Sequence, residues 1–268
     1  MTQLNKLQEN GYIALSIEEQ VHTDIQRALD AWKEFCLLPK EAKEAYIFSQ
    51  GVGYESSVPG RIDTKETFQL TYPYGVEKFA TAHHFTFAEQ NFFDLALYLL
   101  TLLEYDVSKI ASEMSAPKEL QDAILKDKHR WKMRFLHYPS RPYQEGSLIA
   151  APHTDKAGFT IHLIEDMGGL EIFWNDTWNA IGTGHDHIIA YPGMTMQYHT
   201  QGTAKGICHQ VRMMPEIAHH SRYSVVLFID FGNIHYDKTT WGNTQKVFPC
   251  GENYKMPFEE YKKYFVMK

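Results

Sequence analysis

The chain has 268 residues, of which 44% are hydrophobic and 22% charged, with a formal net charge of −7. That length allows a large buried core, and the acidic balance argues against a general nucleic-acid binder. No apolar run approaches a membrane span, and the start, MTQLNKLQENGYIAL, lacks the basic segment and apolar stretch of a secretory signal, so a cytoplasmic protein without a membrane anchor is expected.

Cys36, Cys208 and Cys250 are odd in number and form no C-x-x-C, which points to free thiols in a reducing compartment and excludes a multi-cysteine zinc site.

In chain order, Tyr12–Leu15 reads as a short strand. Val21, Ile25, Leu29, Trp32 and Phe35 then recur at three and four and predict an amphipathic helix, with Ser16 and Glu19 as a capping box. Pro39 opens a short helix through Lys43, and the Gly- and Ser-rich stretch from Gly51 to Gly60 predicts a loop. Residues 88–114 predict one long helix whose stripe of Phe92, Leu95, Leu99, Leu102, Leu103, Val107 and Ile110 packs as core.

The texture changes near residue 131. Short apolar runs follow at Trp131–Tyr138, Ala157–Ile164, Leu170–Phe173, His187–Tyr191, Met194–His199, Gly206–Arg212 and Tyr223–Phe231. Gly168-Gly169, Pro192-Gly193 and Gly202 punctuate them. Many short strands with Gly and Pro turns predict a jelly roll. Pro257–Tyr261 predicts a final helix. The expectation is a mainly β fold, with a helical N-terminal region (1–125) and a jelly-roll core (126–268) ending in that helix, acting as one catalytic unit over 1–268.

His153-Thr154-Asp155 carries the first chemical signal. On extended chain, residues i and i+2 share a face, so the imidazole and carboxylate can hold one cation. With 14 histidines, about one His-x-Asp is expected by chance, and His235-Tyr236-Asp237 has the same spacing. No histidine follows His235-Tyr236-Asp237, whereas His209 lies downstream of His153 in the apolar run Gly206–Val211. Two histidines and one carboxylate leave three positions open on an octahedral metal, the arrangement of non-haem Fe(II) oxygenases. A zinc hydrolase using the same three residues stays open at this point.

Five ordered segments carry a wider resemblance. Phe35-Cys36-Leu37-Leu38-Pro39-Lys40-Glu41-Ala42-Lys43 is similar to "F-x-L-P-x-E-x-K", and Arg134–Pro139 to "R-L-N-Y-Y-P". His153 through Leu170 resembles "H-T-D…T-L-L…G-G-L". Pro192 through Val211 resembles "P-G-D…T-N-G…H-R-V", and Arg222-Tyr223-Ser224 matches "R-x-S". Together they resemble the isopenicillin N synthase-like branch of the Fe(II)/2-oxoglutarate-dependent dioxygenases, over nearly the whole chain.

The resemblance implies a double-stranded β-helix. It makes His153, Asp155 and His209 the Fe(II) ligands and places Arg222 and Ser224 on the distal carboxylate of 2-oxoglutarate, with Tyr138 beside it. An Arg fork and a hydroxyl at i and i+2 of one strand suit that carboxylate. The implied reaction consumes 2-oxoglutarate and O2, with ascorbate as an accessory reductant. It releases succinate and CO2 while hydroxylating, desaturating or cyclising a small molecule. Leu136 stands where the family has Asn, and Met194 where it has Asp. The spacing from His209 to Arg222 is longer than usual, which predicts an enlarged hairpin loop with His219 and His220 exposed. Tyr54 and Arg61, in an N-terminal loop, and Phe159 or His162, after the metal motif, are the substrate-contact candidates. Of that last pair Phe159 is carried forward. An isopenicillin N synthase-like oxidase that does not use 2-oxoglutarate and a non-catalytic metal sensor are the alternatives.

Overall fold

A computed structural model describes residues 3–49, 52–57, 64–71, 87–114, 116–231, 234–236 and 265–267. The N-terminal part runs α1 (Gln3–Asn10), β1 (Ile13–Ser16), α2 (Glu19–Cys36), α3 (Lys40–Glu44), β2 (Ile47–Ser49), β3 (Val52–Ser56), β4 (Glu66–Thr71), α4 (Phe87–Leu102), α5 (Glu104–Glu113) and α6 (Lys118–Lys126). The strand-rich part follows: β5 (Trp131–Tyr138), β6 (Leu148–Thr154), β7 (Phe159–Glu165), β8 (Leu170–Trp174), β9 (Thr177–Ala180), β10 (His187–Pro192), α7 (Met194–His199), β11 (Cys208–Arg212), β12 (Arg222–Ile229), β13 (Ile234–Tyr236) and β14 (Phe265–Met267).

Two antiparallel sheets form the jelly roll. One has the order β1-β10-β7-β12-β5-β4-β3-β2, the other β6-β11-β8-β9. Strand alternation divides their side chains. On β5, Trp131, Met133 and Phe135 enter the main core, while Lys132, Arg134, Leu136 and Tyr138 line a cavity between the sheets. On β12, Val225, Leu227 and Ile229 enter the core, while Arg222, Ser224, Val226 and Phe228 line the cavity.

The helices cover the core face of the large sheet. Trp32 and Phe35 of α2 meet Phe92 of α4 at ring-centroid distances of 5.6 and 5.4 Å, and Phe92 meets Phe135 of β5 at 4.7 Å. The Trp32 indole donates to the Leu136 carbonyl at 3.1 Å, which fastens α2 to a strand of the cavity. Among the described residues no helix is long and apolar enough to cross a membrane.

Several expectations are corrected. The helix predicted over 88–114 bends at Leu103 (φ −79°, ψ −1°) into α4 and α5. Leu103 keeps both of its i→i−4 bonds, so the apolar period reads through the bend. Val52–Ser56 is a strand rather than a loop, because it pairs with β4 from Gly53↔Gln69 to Ser56↔Glu66. Gly53 has φ +90°, and a Cβ there would sit 2.1 Å from the Tyr46 carbonyl, so this glycine serves a close approach between strands. No capping box forms: α2 starts after Glu18 without a side-chain cap, and Ser16 is held in β1 opposite His187. Met194–His199 is helical. The amides of Gly193, Met194 and Thr195 bond the carbonyls of Gly158, Asp155 and Ala157 and fold the chain back there. Cys36 is a buried free thiol, but Cys208 is disulfide-bonded, against the expectation of free thiols. The predicted helix Pro257–Tyr261 and the residue Arg61 lie outside the described residues.

Candidate metal centre

Strand register builds the centre. β11 pairs β6 with His209 opposite His153, and Asp155 follows the last residue of β6. The two imidazole centroids are 4.3 Å apart. Nδ1 of His153 lies 2.8 Å from the Ala151 carbonyl, and Nδ1 of His209 lies 3.3 Å from the Ile207 carbonyl. An Nδ1–H donated to a carbonyl leaves the Nε2 lone pair free as a ligand. Both Nε2 atoms face Asp155, at 3.6 Å for His153 and 3.7 Å for His209. One donor atom from each of the three residues lies within 4.8 Å of the others. The amide of Met194 holds the Asp155 carbonyl at 2.8 Å, and the Thr160 hydroxyl donates to Asp155 Oδ2.

The electrostatics suit a cation. Burial pushes the Asp155 carboxyl up, but His209, His153, the Thr160 hydroxyl and Arg134 together hold it below its ordinary value. Burial and the neighbouring His153 push His209 down to about 4, so its ring is neutral at neutral pH. Two imidazoles and one carboxylate, with no thiolate among them, fit Fe(II) and leave part of its coordination sphere open.

The cavity beside these residues measures about 860 Å³. Deeper in it, Arg222 pairs with Tyr138 across β12 and β5, and Ser224 pairs with Leu136. Arg222 is 1% exposed and Ser224 is fully buried, with Nη1 of the arginine donating to Ser224 Oγ at 3.3 Å. The guanidinium carbon lies 5.8 Å from the centre of the Tyr138 ring. The enlarged loop between β11 and β12 is present, with a 3-10 turn at Pro215–Ala218 and both His219 and His220 exposed.

Two of the proposed substrate contacts are corrected. Tyr54 is 3% exposed, donates its hydroxyl to Glu66 at 2.6 Å and packs its ring 6.3 Å from Phe35. Phe159 is fully buried in the main core, because alternation along β7 turns Thr160 and His162 to the cavity instead.

Two further residues near the cavity, Tyr191 and Glu165, carry no signal in the sequence. Tyr191 of β10 places its ring 5.0 Å from that of His209. His162 and Glu165 reach the Arg222 end together through an irregularity in the pairing of β7 with β12. Val226 opposes His162 and Val225 opposes Ile164, so Leu163 is extra, and Leu163 and Ile164 both enter the core. Glu165 then forms a direct ion pair with Arg222, and its Oε2 lies 3.8 Å from His162 Nε2. Burial, then the Arg222 charge, pushes His162 down to about 3.

Known proteins resemble this chain in sequence and in fold. Residues 130–231 match the model of the 2OG-Fe(II) oxygenase superfamily. The chain is 27% identical to leucoanthocyanidin dioxygenase of Perilla frutescens over 205 residues, covering 69% of this chain and 55% of that protein. It is 27% identical to jasmonate-induced oxygenase 2 of Arabidopsis thaliana over 194 residues, covering 69% and 52%. The chain thus spans about half the length of these curated relatives. Among solved structures, a putative 2OG-Fe(II) oxygenase family protein from Caulobacter crescentus superposes with a TM-score of 0.68 at 21% identity, covering 97% of this chain and 90% of that one. The dioxygenase for auxin oxidation 1 from Arabidopsis thaliana, solved as a binary complex with 2-oxoglutarate, superposes with a TM-score of 0.67 at 20% identity, covering 85% and 87%. Residues 130–231 thus resemble the 2OG-Fe(II) oxygenase superfamily in sequence, and the chain shares the fold of solved members.

Proposed function

We propose that this protein is an Fe(II)- and 2-oxoglutarate-dependent oxygenase that hydroxylates, desaturates or cyclises a small organic molecule, with release of succinate and CO2. One observation carries the reading: the convergence of His153 Nε2, His209 Nε2 and the Asp155 carboxylate in the cavity that also holds Arg222 and Ser224. His153, Asp155 and His209 would hold the metal. Iron bound there, with O2 and 2-oxoglutarate, supplies the redox chemistry.

The chain's own residues do the rest. Arg222 and Ser224 would anchor the distal carboxylate of 2-oxoglutarate, with Tyr138 beside the guanidinium. The apolar walls at Leu136, Leu170, Val211 and Val226 keep water away from the reacting atoms. Lys132, Arg134 and Lys156 also line the cavity, which favours a substrate bearing a carboxylate or other anionic group. The N-terminal helices and the jelly roll would act as one catalytic unit, which the Trp32–Leu136 hydrogen bond supports.

A second reading, an oxidase of the same fold that does not use 2-oxoglutarate, is favoured by the Glu165 carboxylate already paired with Arg222. Succinate release across a panel of small organic acids separates the two. Anaerobic protein with Fe(II) and 2-oxoglutarate is expected to develop a weak visible charge-transfer band that Arg222→Ala abolishes. Absence of both band and succinate rejects the first reading. Activity restored by Zn(II) rather than Fe(II) replaces both with a hydrolase.

A further inference from the structure

The arginine assigned to the cosubstrate already has a carboxylate of its own. Glu165 and Arg222 have side-chain exposures of 4% and 2% and are directly ion-paired. Much of the remaining guanidinium is committed: Nε bonds the carbonyls of Met167 at 2.9 Å and Gly168 at 3.1 Å, and Nη1 bonds Ser224 Oγ at 3.3 Å. These contacts fix the fork in place. They leave Glu165 as the carboxylate with which an incoming dicarboxylate must contend.

The charges facing Glu165 come from each neighbouring element. Arg222 is on β12. His162, on β7 with Glu165, is buried and neutral, and its Nε2 has no hydrogen-bond partner among the described residues. Asp166 is the next residue, but it is held by Lys33 of α2 at 3.0 Å and by the Tyr223 amide at 2.8 Å. Tyr191 of β10 is buried nearby, and Gly182 lies alongside, where a Cβ would stand 3.3 Å from Glu165 Oε1. Among these groups one cation, Arg222, would serve two carboxylates once a 2-oxo dicarboxylate docks. Two anions sharing one guanidinium in a dry site do not both stay ionised.

We propose that Glu165 is the resident counter-ion of the cosubstrate site, and that docking of the distal carboxylate of a 2-oxo acid on Arg222 is coupled to uptake of one proton by Glu165. The inference rests on the reading of Arg222 as the cosubstrate anchor. The proton comes from solvent and ends on the Glu165 carboxylate; the guanidinium pair passes to the ligand, and no covalent bond to carbon changes. Glu165 Oε1 is buried without a hydrogen-bond partner among the described residues, and burial pushes the group's affinity for a proton up against the pull of Arg222. Glu165 then discriminates between 2-oxo acids: those with a distal carboxylate meet a binding step opposed by alkali, and those without it do not.

Calorimetry on the full chain loaded with Mn(II), a redox-inert substitute for Fe(II), tests this. 2-Oxoglutarate and 2-oxopentanoate, which has the same carbon chain without the distal carboxylate, are titrated in phosphate and in Tris. The dependence of enthalpy on buffer counts protons. The wild type is expected to take up about one proton more for 2-oxoglutarate than for 2-oxopentanoate, and its dissociation constant for 2-oxoglutarate to rise up to about tenfold per pH unit on the alkaline side. Glu165→Gln is expected to remove the extra proton and to tighten 2-oxoglutarate about tenfold or more near pH 8, with 2-oxopentanoate changed less than about twofold. Equal proton counts for the two acids in the wild type overturn the proposal, and that measurement decides the matter even where Glu165→Gln does not fold. Binding of 2-oxoglutarate by Glu165→Gln no tighter than by wild type also overturns it. If neither acid binds the Mn(II)-loaded chain, the cosubstrate reading itself fails and takes the proposal with it.

Discussion

The Thr160 hydroxyl donates to Oδ2 of Asp155, so a side chain of β7 orients a carboxylate that lies just past the end of β6. Thr160 is almost fully buried, and its hydroxyl is bonded to Asp155. Thr160→Val keeps the shape and removes the donor. Metal affinity is expected to fall about 10- to 100-fold, as for other hydrogen-bonded supports of metal ligands. Unchanged Mn(II) affinity in equilibrium dialysis would show that Asp155 is oriented without Thr160.

The three proposed ligands should act as a set. His153→Ala, Asp155→Ala and His209→Ala are each expected to lose stoichiometric metal, while His219→Ala, at an exposed loop position, keeps it. Metal at about 100 times its dissociation constant stabilises the wild type by about 2.7 kcal/mol. Thermal melts with and without metal should therefore separate for the wild type and for His219→Ala, and coincide for the other three. A melt of His209→Ala that still responds to metal would remove His209 from the ligand set.

Trp32 joins the helices to the sheet. It is fully buried among Phe35, Phe68, Phe92 and Phe135, and its indole bonds the Leu136 carbonyl. Trp32→Ala is expected to cost about 3–5 kcal/mol in urea unfolding. Leu37→Ala, at a side chain 83% exposed, should stay within about 0.5 kcal/mol. A cost for Trp32→Ala below that of an ordinary surface change would mean that α2 is not fastened through this residue.

Glu66 gives the fold an acid dependence. Burial pushes its carboxyl up, but His137, Lys43 and Tyr54 hydrogen-bond it and hold it down at about 2, from an ordinary 4.5. A carboxyl whose folded pKa is depressed contributes stability that is complete above its unfolded pKa and is lost as pH falls toward the folded one. Glu66→Gln, which also strips the buried Lys43 of its counter-ion at 2.7 Å, is expected to unfold at lower urea than wild type at neutral pH. The gap should narrow between about pH 4.5 and the acid limit of folding. A gap of constant width across that range would assign the loss to packing rather than charge.

Much of this molecule is legible in local pattern. Trp131–Tyr138 reads as a strand from its apolar residues, and the structure keeps those limits. His153 and Asp155 share a short stretch of extended chain, and His209 is singled out by its strand and by the family resemblance. Such signals are short-range: they follow from the two-residue period of a strand and from donor chemistry that any His-x-Asp carries.

What the sequence by itself determined is therefore the type of fold, and it singled out His153, Asp155 and His209 as the proposed metal donors. The tertiary structure decided which faces they share and what stands opposite them. The residue inserted at Leu163 reverses the side-chain phase along β7, so Glu165 reaches Arg222 although simple alternation from His162 would turn it to the other face. Tyr54 reads as a loop residue and is held in the core by pairing with β4 and by Glu66. The physical reason is common to both: register, irregularities and burial are set by which strands meet across long stretches of chain, and the free energy of those pairings overrides the local preference of any single residue.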